Sequence, residues 1–416
     1  MAPSSSPSSI LWQNDRKTVV LLDLPRSIEE AQVPSSQLTP GNGDPPIKLR
    51  RLVSALPPAC PFPTPEPKKA GGSEPPTASP SAQVAELMTQ AAVESALEEI
   101  NTSYDGPWCL PRILTNPEVH QQPSPTSPRA TLQVAAAATT NNNPPTTDYK
   151  PQDYHLPPST YPLPTTIPPT PPSLSQPCPL TTTTPPNFFH LMLLDPPWPN
   201  RSAKRKRRGA GAYTPAADTA AVRALLHRVP VASRLKPGGL VGVWVTNKER
   251  FGALLTGAGG GGGVFAAWGV DVVGEWTWLK VTSRGEPVVS VESRWRRPWE
   301  RLVIGWKRGG DGGSGNGSGT GPVEGKVIVA VPDVHSRKPN LRGLFEELLP
   351  ERYEALEVFA RNLTAGWWAW GDEVLLFQRK ECWVEGGEEE AGDDTVVGEG
   401  NDKTDDGEAD DEDAGT

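Results

Sequence analysis

The sequence predicts an α/β fold, in which a mostly parallel sheet carries helices on both faces. Three observations indicate this fold. Six apolar segments between residues 188 and 360 have the length of strands, three helical segments lie between them, and the two kinds alternate. Such alternation favours parallel strands, because each helix returns the chain to the edge at which the next strand begins.

The predicted domain spans residues 187–380. Its strands are expected at FFHLMLL, GLVGVWV, EWTWLKV, RLVIGW, KVIVAV and ALEVFA. Some of these runs are apolar throughout, as is typical of strands that are buried on both faces. Helices are predicted at residues 217–229, 247–255 and 341–349. The glycine runs at 257–263 and 309–321 are expected to form surface loops.

The flanking segments are predicted to be less ordered. Within residues 1–121 we expect accessory elements, partly disordered: a strand at TVVLLDL with a helix after it, and an amphipathic helix at 81–100. Residues 122–186 are rich in proline and threonine and are interpreted as a linker, since such a sequence buries too little apolar surface to fold. An acidic disordered tail is expected at 381–416.

The charge distribution points to a partner that carries phosphates. The net charge of the chain is −9, but residues 384–416 hold fifteen acids and one lysine, so the remainder carries +5. A mildly basic body suits an anionic partner, and the tail is interpreted either as a screen for that surface or as a solvated segment without function.

Cysteine usage and hydropathy limit the class of protein further. The four cysteines show neither CxxC nor Cys/His clustering, which speaks against zinc and against a disulfide framework and favours a reducing compartment. No apolar run is long enough to span a membrane and no leader is recognised, so we expect a soluble intracellular protein without metal.

The segment LMLLDPPW carries the clearest chemical signal. Asp195 follows a predicted strand at the sheet edge where α/β folds bind ligands. Pro196 and Pro197 stiffen the next two residues and remove two amide donors, leaving a rigid edge of carbonyl acceptors. Trp198 is predicted to stack on a base. Two acceptors would bind the hydrogens of an aromatic amine and direct its lone pair at an electrophile. The alternative is a turn capped by Asp195 in a proline-rich chain.

Further motifs follow in order: VGVWVTNKERF, EWTWLKVTSRGE, RRPWERLVIG, HSRKPNL and LEVFARNLTAGWWAWGDEV. With DPPW they resemble the eukaryotic N6-adenosine methyltransferase family of the MT-A type, most closely its methyltransferase-like protein four branch. The resemblance covers residues 188–378. ILWQNDRKTVVLLDLPRSIEEAQ also resembles N-terminal segments of fungal members. The fold implied is a Rossmann-like methyltransferase sheet in which the catalytic motif precedes the cofactor motifs.

The resemblance implies S-adenosyl-L-methionine as the cofactor and the DPPW residues Asp195, Pro196, Pro197 and Trp198 as the catalytic motif. For five of the cofactor residues there is an alternative role: Lys280 and Lys338 could be solvated, Arg361 and Asn362 could cap a strand, and His335 could hydrogen-bond a loop. The residues that would bind the cofactor are Asp195, Lys280, His335, Ser336, Lys338, Glu357, Phe359, Arg361 and Asn362.

Two basic runs are candidates for contact with nucleic acid, because cations bind the phosphate backbone and arginine also stacks on bases. The first run also has the composition of a nuclear-import signal, so we expect the nucleus as the location. In the second run the alternative is a core tryptophan pair with solvated arginines. The cations are Arg201, Lys204, Arg205, Lys206, Arg207 and Arg208, followed by Arg296 and Arg297.

The resemblance implies a monomeric enzyme that methylates N6 of adenine in nucleic acid. It favours a 2′-O-methylated adenosine in small nuclear RNA, with DNA adenine as the second choice, whereas the residues alone do not distinguish DNA, messenger RNA and small nuclear RNA. The principal alternative is a catalytically inactive nucleic-acid-binding partner of an active methyltransferase. A disordered interaction hub fits only the first 186 residues.

Overall fold

A ten-stranded sheet forms the centre of the protein. The computed structural model describes residues 8–38, 48–63, 79–114, 151–164, 183–199, 216, 218–258, 262–293, 296–309 and 322–386. The strands are β1 (Ile10–Gln13), β2 (Val19–Leu22), β3 (Arg51–Ser54), β4 (Ile113–Leu114), β5 (Tyr161–Leu163), β6 (Phe189–Leu194), β7 (Leu235–Val245), β8 (Val270–Lys280), β9 (Trp299–Lys307), β10 (Lys326–Ala330), β11 (Ala355–Val358), β12 (Trp368–Trp370) and β13 (Trp383–Val384).

The strand order is β1-β2-β10-β8-β9-β7-β6-β11-β12-β5, and β13-β3-β4 form a small second sheet. In the large sheet β1 and β9 pair antiparallel to their neighbours, and the other pairs are parallel. The predicted α/β class is therefore confirmed. The carboxyl ends of β2, β6, β7, β8, β10 and β11 consequently meet at one edge, where the reversed strand β9 begins.

The helices are α1 (Leu24–Glu30), α2 (Ser35–Leu38), α3 (Pro80–Ser103), α4 (Thr219–Arg228), α5 (Val231–Arg234), α6 (Glu249–Thr256), α7 (Val264–Trp268) and α8 (Arg342–Glu346). Helices α4 and α8 lie within the helices predicted at 217–229 and 341–349. Helix α6 lies within the one predicted at 247–255 except for its last residue. Helix α3 extends the helix predicted at 81–100. None of the helices in the described part of the chain is both long and apolar enough to span a membrane.

Both faces of the sheet are covered, because alternate residues of each strand enter different cores. Val241 and Val243 of β7 pack with α4, α6 and α7, whereas Leu240 and Trp244 pack on the other face with α1 and α8. Helix α3 contributes Val93, Ala96 and Ile100 to a third core against β2, β8 and β10. Helices and loops thus cover both faces of the sheet, and the carboxyl edge of its strands remains accessible to a ligand.

The N-terminal segments join this same sheet. Strand β2 pairs parallel with β10, about 300 residues further along the chain, and β5, inside the predicted linker, pairs with β12. Buried amides link the two regions: Gln32 donates to the carbonyl of Leu363 (2.9 Å) and accepts from Gln378 (3.0 Å). The sequence does not reveal these pairings, because each strand is short and its partner is distant.

Asp23 provides a test of whether the N-terminal segments fold together with the sheet. Its carboxylate caps α1 by accepting from the Arg26 amide and also accepts from the Leu110 amide, both at 2.8 Å, and the side chain is 2% exposed. Asp23→Ala leaves two buried donors unsatisfied, so we expect the free energy of unfolding to fall by about 2 kcal/mol. Asp23→Asn keeps one acceptor and should lose roughly half as much.

Urea denaturation of the full chain measures both variants. Tryptophan fluorescence, which reports unfolding of the whole domain, should show this loss of stability, since α1 packs in the core on one face of the sheet. An unchanged midpoint for Asp23→Ala would show that the N-terminal segment folds independently of the sheet.

Candidate functional site

A cleft that is partly open to solvent lies at the carboxyl edge of the strands beside β6 and β11. Its apolar wall includes Leu193, Trp244, Leu341 and Trp367. The cleft also brings together residues that are distant in the chain, from Leu193 to Trp367, because it collects the loops that follow three strands. Seven of the nine predicted cofactor residues line it: Asp195, Ser336, Lys338, Glu357, Phe359, Arg361 and Asn362.

Asp195 is the centre of a network of ion pairs in this cleft. Lys338 Nζ lies 3.1 and 3.2 Å from its two carboxylate oxygens, and Arg361 Nη1 lies 3.0 Å from Oδ2. The second face of Arg361 binds Glu373, with Nε 3.1 Å from Oε2. Arg361 thus joins Asp195 to Glu373, and Lys338 joins it to Glu300. Because all side chains in this chain of contacts are at most one fifth exposed, solvent screens them weakly.

Glu300 extends the network on the other side. One of its oxygens lies 3.1 Å from Lys338 Nζ, and the other lies 2.5 Å from Lys280 Nζ. Burial alone would raise the pKa of Glu300, but the two ammonium groups outweigh it and hold the pKa well below the usual range. Likewise, burial would lower the pKa of Lys338, yet Asp195 and Glu300 raise it. The lysine therefore remains a cation at neutral pH.

Glu357 differs from the other acids of the cleft. It lies on β11, where its Cα pairs with that of Leu193 on β6, two residues before Asp195. Burial, with the negative charge of Asp195, raises the pKa of Glu357 to about 8, and Arg361 offsets only part of this effect. At neutral pH this side chain is mostly a neutral carboxylic acid.

Two residues of the cleft have a left-handed backbone. Ser336 has φ of 72° and Phe359 has φ of 62°, a region that residues with a side chain seldom occupy. The carbonyl of Ser336 accepts from Arg361 (3.3 Å), and the amide of Phe359 donates to the carbonyl of Trp370 (2.7 Å). Strained backbone of this kind is concentrated at binding sites, where surrounding contacts hold it.

The DPPW segment forms a rigid turn beside the cleft. The amide of Asp195 donates to the carbonyl of Val358 (3.2 Å), and the amide of Trp198 donates to the carbonyl of Pro196 (2.8 Å). The carbonyl of Pro197 accepts from the Ala216 amide at 2.9 Å. The Pro196 carbonyl keeps a second lone pair, so the acceptor role predicted for it is compatible with the turn.

The role predicted for Trp198 needs correction. Its side chain is 5% exposed, its ring packs on Phe251 with 4.6 Å between centroids, and its Nε1 donates to the carbonyl of Trp244 (2.7 Å). A buried ring has no free face on which a base could stack. Trp198 instead anchors the turn after β6 to strand β7, which fixes the position of Asp195.

Two predicted cofactor residues lie outside the lining of the cleft. Lys280 binds Glu300 and lies over the ring of Trp278, with Nζ 4.5 Å from its centroid. His335 is exposed, and its Nδ1 is 2.7 Å from the hydroxyl of Ser336. Lys280 therefore adjoins the ion network, and His335 adjoins a residue that lines the cleft. Direct contact of either side chain with a cofactor remains a prediction.

The candidate nucleic-acid residues divide into three groups. The run Arg201, Lys204, Arg205, Lys206, Arg207 and Arg208 lies outside the described residues. Arg296 is exposed, as phosphate contact would require. Arg297, in contrast, binds Glu86 of α3 at 2.5 Å and donates to the carbonyl of Val291 at 2.7 Å. These contacts give Arg297 a structural role in the loop before β9.

Sequence reasoning missed Glu300 and Glu373. Glu300 is the second residue of β9, so it reaches the carboxyl edge only because that strand runs in the reverse direction. An acid at the start of an apolar segment was the available signal, but the direction of the strand could not be read from the segment.

Comparison with known proteins agrees with this geometry. The MT-A70 family matches residues 189–373, which extend from β6 to just beyond β12. The N6-methyladenosine RNA methyltransferase MTA1 of Cryphonectria parasitica is 43% identical over 91% of this chain and 94% of its own length. The chain belongs to the MT-A70 family. The family resemblance seen in the sequence is therefore confirmed, together with the methyltransferase fold that it implied.

Other members of the MT-A70 family show which part of the chain is shared more widely. The N6-methyladenosine RNA methyltransferase MTA1 of Pyricularia oryzae is 43% identical over 91% of this chain and 96% of its own length. The human N(6)-adenine-specific methyltransferase METTL4 is 32% identical over 47% of this chain and 39% of its own length. Similarity to the fungal proteins thus includes N-terminal segments, in agreement with their place in the sheet.

The ion network of this MT-A70 protein predicts a large loss of stability when Glu300 is removed. Glu300→Ala leaves Lys280 and Lys338 without their shared carboxylate, so we expect the free energy of unfolding to fall by about 3 kcal/mol at pH 7. Because the pKa of Glu300 is lowered, its contribution is present at neutral pH and disappears in acid. The two proteins should therefore converge in stability as the pH falls below the ordinary carboxyl range.

Denaturant unfolding at several pH values measures this difference. Asp271→Asn is the matched control, because Asp271 pairs with Arg308 at the surface and both side chains are at least half exposed. That substitution should have little effect. Equal losses in the two variants would show that the network at the cleft adds no more than a surface pair.

Proposed function

We propose that the protein transfers the methyl group of S-adenosyl-L-methionine to N6 of adenine in RNA. The observation that carries the proposal is the position of Asp195: a carboxylate on a rigid turn, at the rim of a cleft with both cationic and neutral polar groups. Membership in the MT-A70 family and the similarity to two fungal N6-methyladenosine RNA methyltransferases support the reaction and favour RNA over DNA.

The residues of the cleft fit the proposed cofactor. Lys338 and Arg361 are cations that can bind the carboxylate of the methionine part, and Asp195 is an anion suited to its ammonium group. Leu193, Leu341 and Trp367 supply apolar surface for a base. When bound, the cofactor supplies a methyl group on a positively charged sulfur.

The residues of the chain would act chiefly by holding the amine in place. We expect Asp195 and the Pro196 carbonyl to accept the two amino hydrogens, which leaves the nitrogen lone pair free. Positioning of this kind can account for much of the acceleration, because it replaces an encounter in solution by a fixed geometry. As nitrogen becomes positively charged, Asp195 stabilises the charge and takes the proton or passes it to water.

Two further parts of the proposal concern context. Arg296 and the basic run 201–208 would bind phosphates of the RNA, and the same run would direct the protein to the nucleus. The branch resemblance supports a 2′-O-methylated adenosine in small nuclear RNA as the preferred target and a monomer as the active species.

Replacement of Asp195 tests the catalytic assignment. We expect Asp195→Asn to lower methyl transfer by about 10²–10⁴-fold, because the amide keeps the size of the side chain but loses its charge and its ability to take a proton. Transfer from labelled cofactor to adenosine-containing RNA and DNA oligonucleotides, followed by nucleoside mass spectrometry, gives the rate, the position and the preferred nucleic acid.

Asp271→Asn makes the same chemical change at the opposite edge of the sheet and should keep full activity. Circular dichroism and thermal melting confirm that each variant is folded. If folded Asp195→Asn methylated at close to the wild-type rate, the assignment would be wrong. A wild-type protein that binds RNA but transfers nothing would indicate a non-catalytic partner instead.

A further inference from the structure

Glu357 is the one acid of the cleft that the ion network does not use. Among the described residues its carboxyl makes no hydrogen bond or ion pair, although it lines the cleft beside Asp195. The ion network contains as many acids as cations: its acids are Asp195, Glu300 and Glu373, and its cations are Lys280, Lys338 and Arg361. With Glu357 protonated, this set of groups has no net charge.

The surroundings of Glu357 make its charge sensitive to the charge of a ligand. Leu193 on β6 is its strand neighbour, Asp195 comes directly after the end of β6, and Phe359 and Arg361 follow on its own chain segment. Lys338, from the loop after β10, is held by Asp195. Burial raises the pKa of Glu357 to about 8, so a nearby positive charge can bring about ionisation close to neutral pH.

We propose that Glu357 lets the site distinguish S-adenosyl-L-methionine from the product of the transfer: its carboxyl releases a proton to solvent when the cofactor binds and stays protonated when the product binds. The inference rests on the proposed function, which supplies the cofactor. S-adenosyl-L-methionine carries a sulfonium, an ammonium and a carboxylate, for a net charge of +1. The product, S-adenosyl-L-homocysteine, has lost the sulfonium charge and is neutral overall.

This arrangement has a consequence for turnover. An ionised Glu357 attracts the cationic cofactor. Once the methyl group has been transferred to adenine, the sulfur is neutral, and Glu357 is an anion in the cleft without the positive charge of the sulfonium. Reprotonation from solvent then removes the anion, so the neutral product gains nothing from Glu357. The affinity of the site for cofactor relative to product should therefore increase with pH as long as free Glu357 is protonated.

Isothermal titration calorimetry of the full chain at pH 7 tests the proposal directly. Titrations in phosphate and in Tris, which differ in ionisation enthalpy, give the number of protons released on binding. We expect most of one proton with S-adenosyl-L-methionine and less than about half of one with S-adenosyl-L-homocysteine. Equal release with both ligands, or none with the cofactor, would overturn the inference without any variant.

Glu357→Gln identifies the group that releases the proton. Glutamine has the shape of the protonated acid, so the variant is expected to fold, and the excess release with the cofactor should vanish. Between pH 5.5 and 7 the wild-type affinity for cofactor should rise by up to roughly tenfold per pH unit, and the variant should lose this dependence. His335, exposed beside Ser336, is retained in both proteins and therefore cannot cause a difference between them.

Glu354→Gln is the matched control. Glu354 precedes β11 at the opposite edge of the sheet, and burial also raises its pKa, but it does not line the cleft. Its replacement should leave proton release unchanged. If the wild type binds no cofactor at any pH, the proposed function fails together with this inference. If it binds the cofactor but the release of protons does not depend on Glu357, only this inference fails.

Discussion

The ion pairs of Asp195 hold the candidate site together. Lys338 and Arg361 come from loops that follow different strands, and both bind one carboxylate at the end of a third. A buried carboxylate requires such partners, since burial without them would drive it to its neutral form. The network supplies Asp195 with two cationic partners, and it also aligns three strand ends around this carboxylate.

The rest of the fold supports that point. Trp198 locks the turn after Asp195 against β7, and the reversed strand β9 brings Glu300 to the edge. On the far side, β2 and α1 cover β10, whose following loop carries Lys338. N-terminal segments that looked accessory in the sequence thus contribute to the placement of a residue that binds Asp195.

Much of the site could be predicted from local patterns. An acid directly after an apolar strand lies at the carboxyl edge in any parallel sheet, so the position of Asp195 followed from strand recognition alone. Glu357 lies within β11 and was predicted only from the family resemblance. Burial of Trp198 and the contribution of Glu300 depend on how distant segments pack and on the direction of β9. Neither can be read from a local pattern, because both are properties of non-local pairing.

A crystal structure with S-adenosyl-L-methionine bound is the most direct test of the central claim, that the cleft around Asp195 receives the cofactor. We predict that its methionine part occupies the space beside Asp195, with Lys338 or Arg361 released from the carboxylate to contact it. Cofactor bound at another surface, or a cleft that stays closed by its own ion pairs at saturating ligand, would contradict this account.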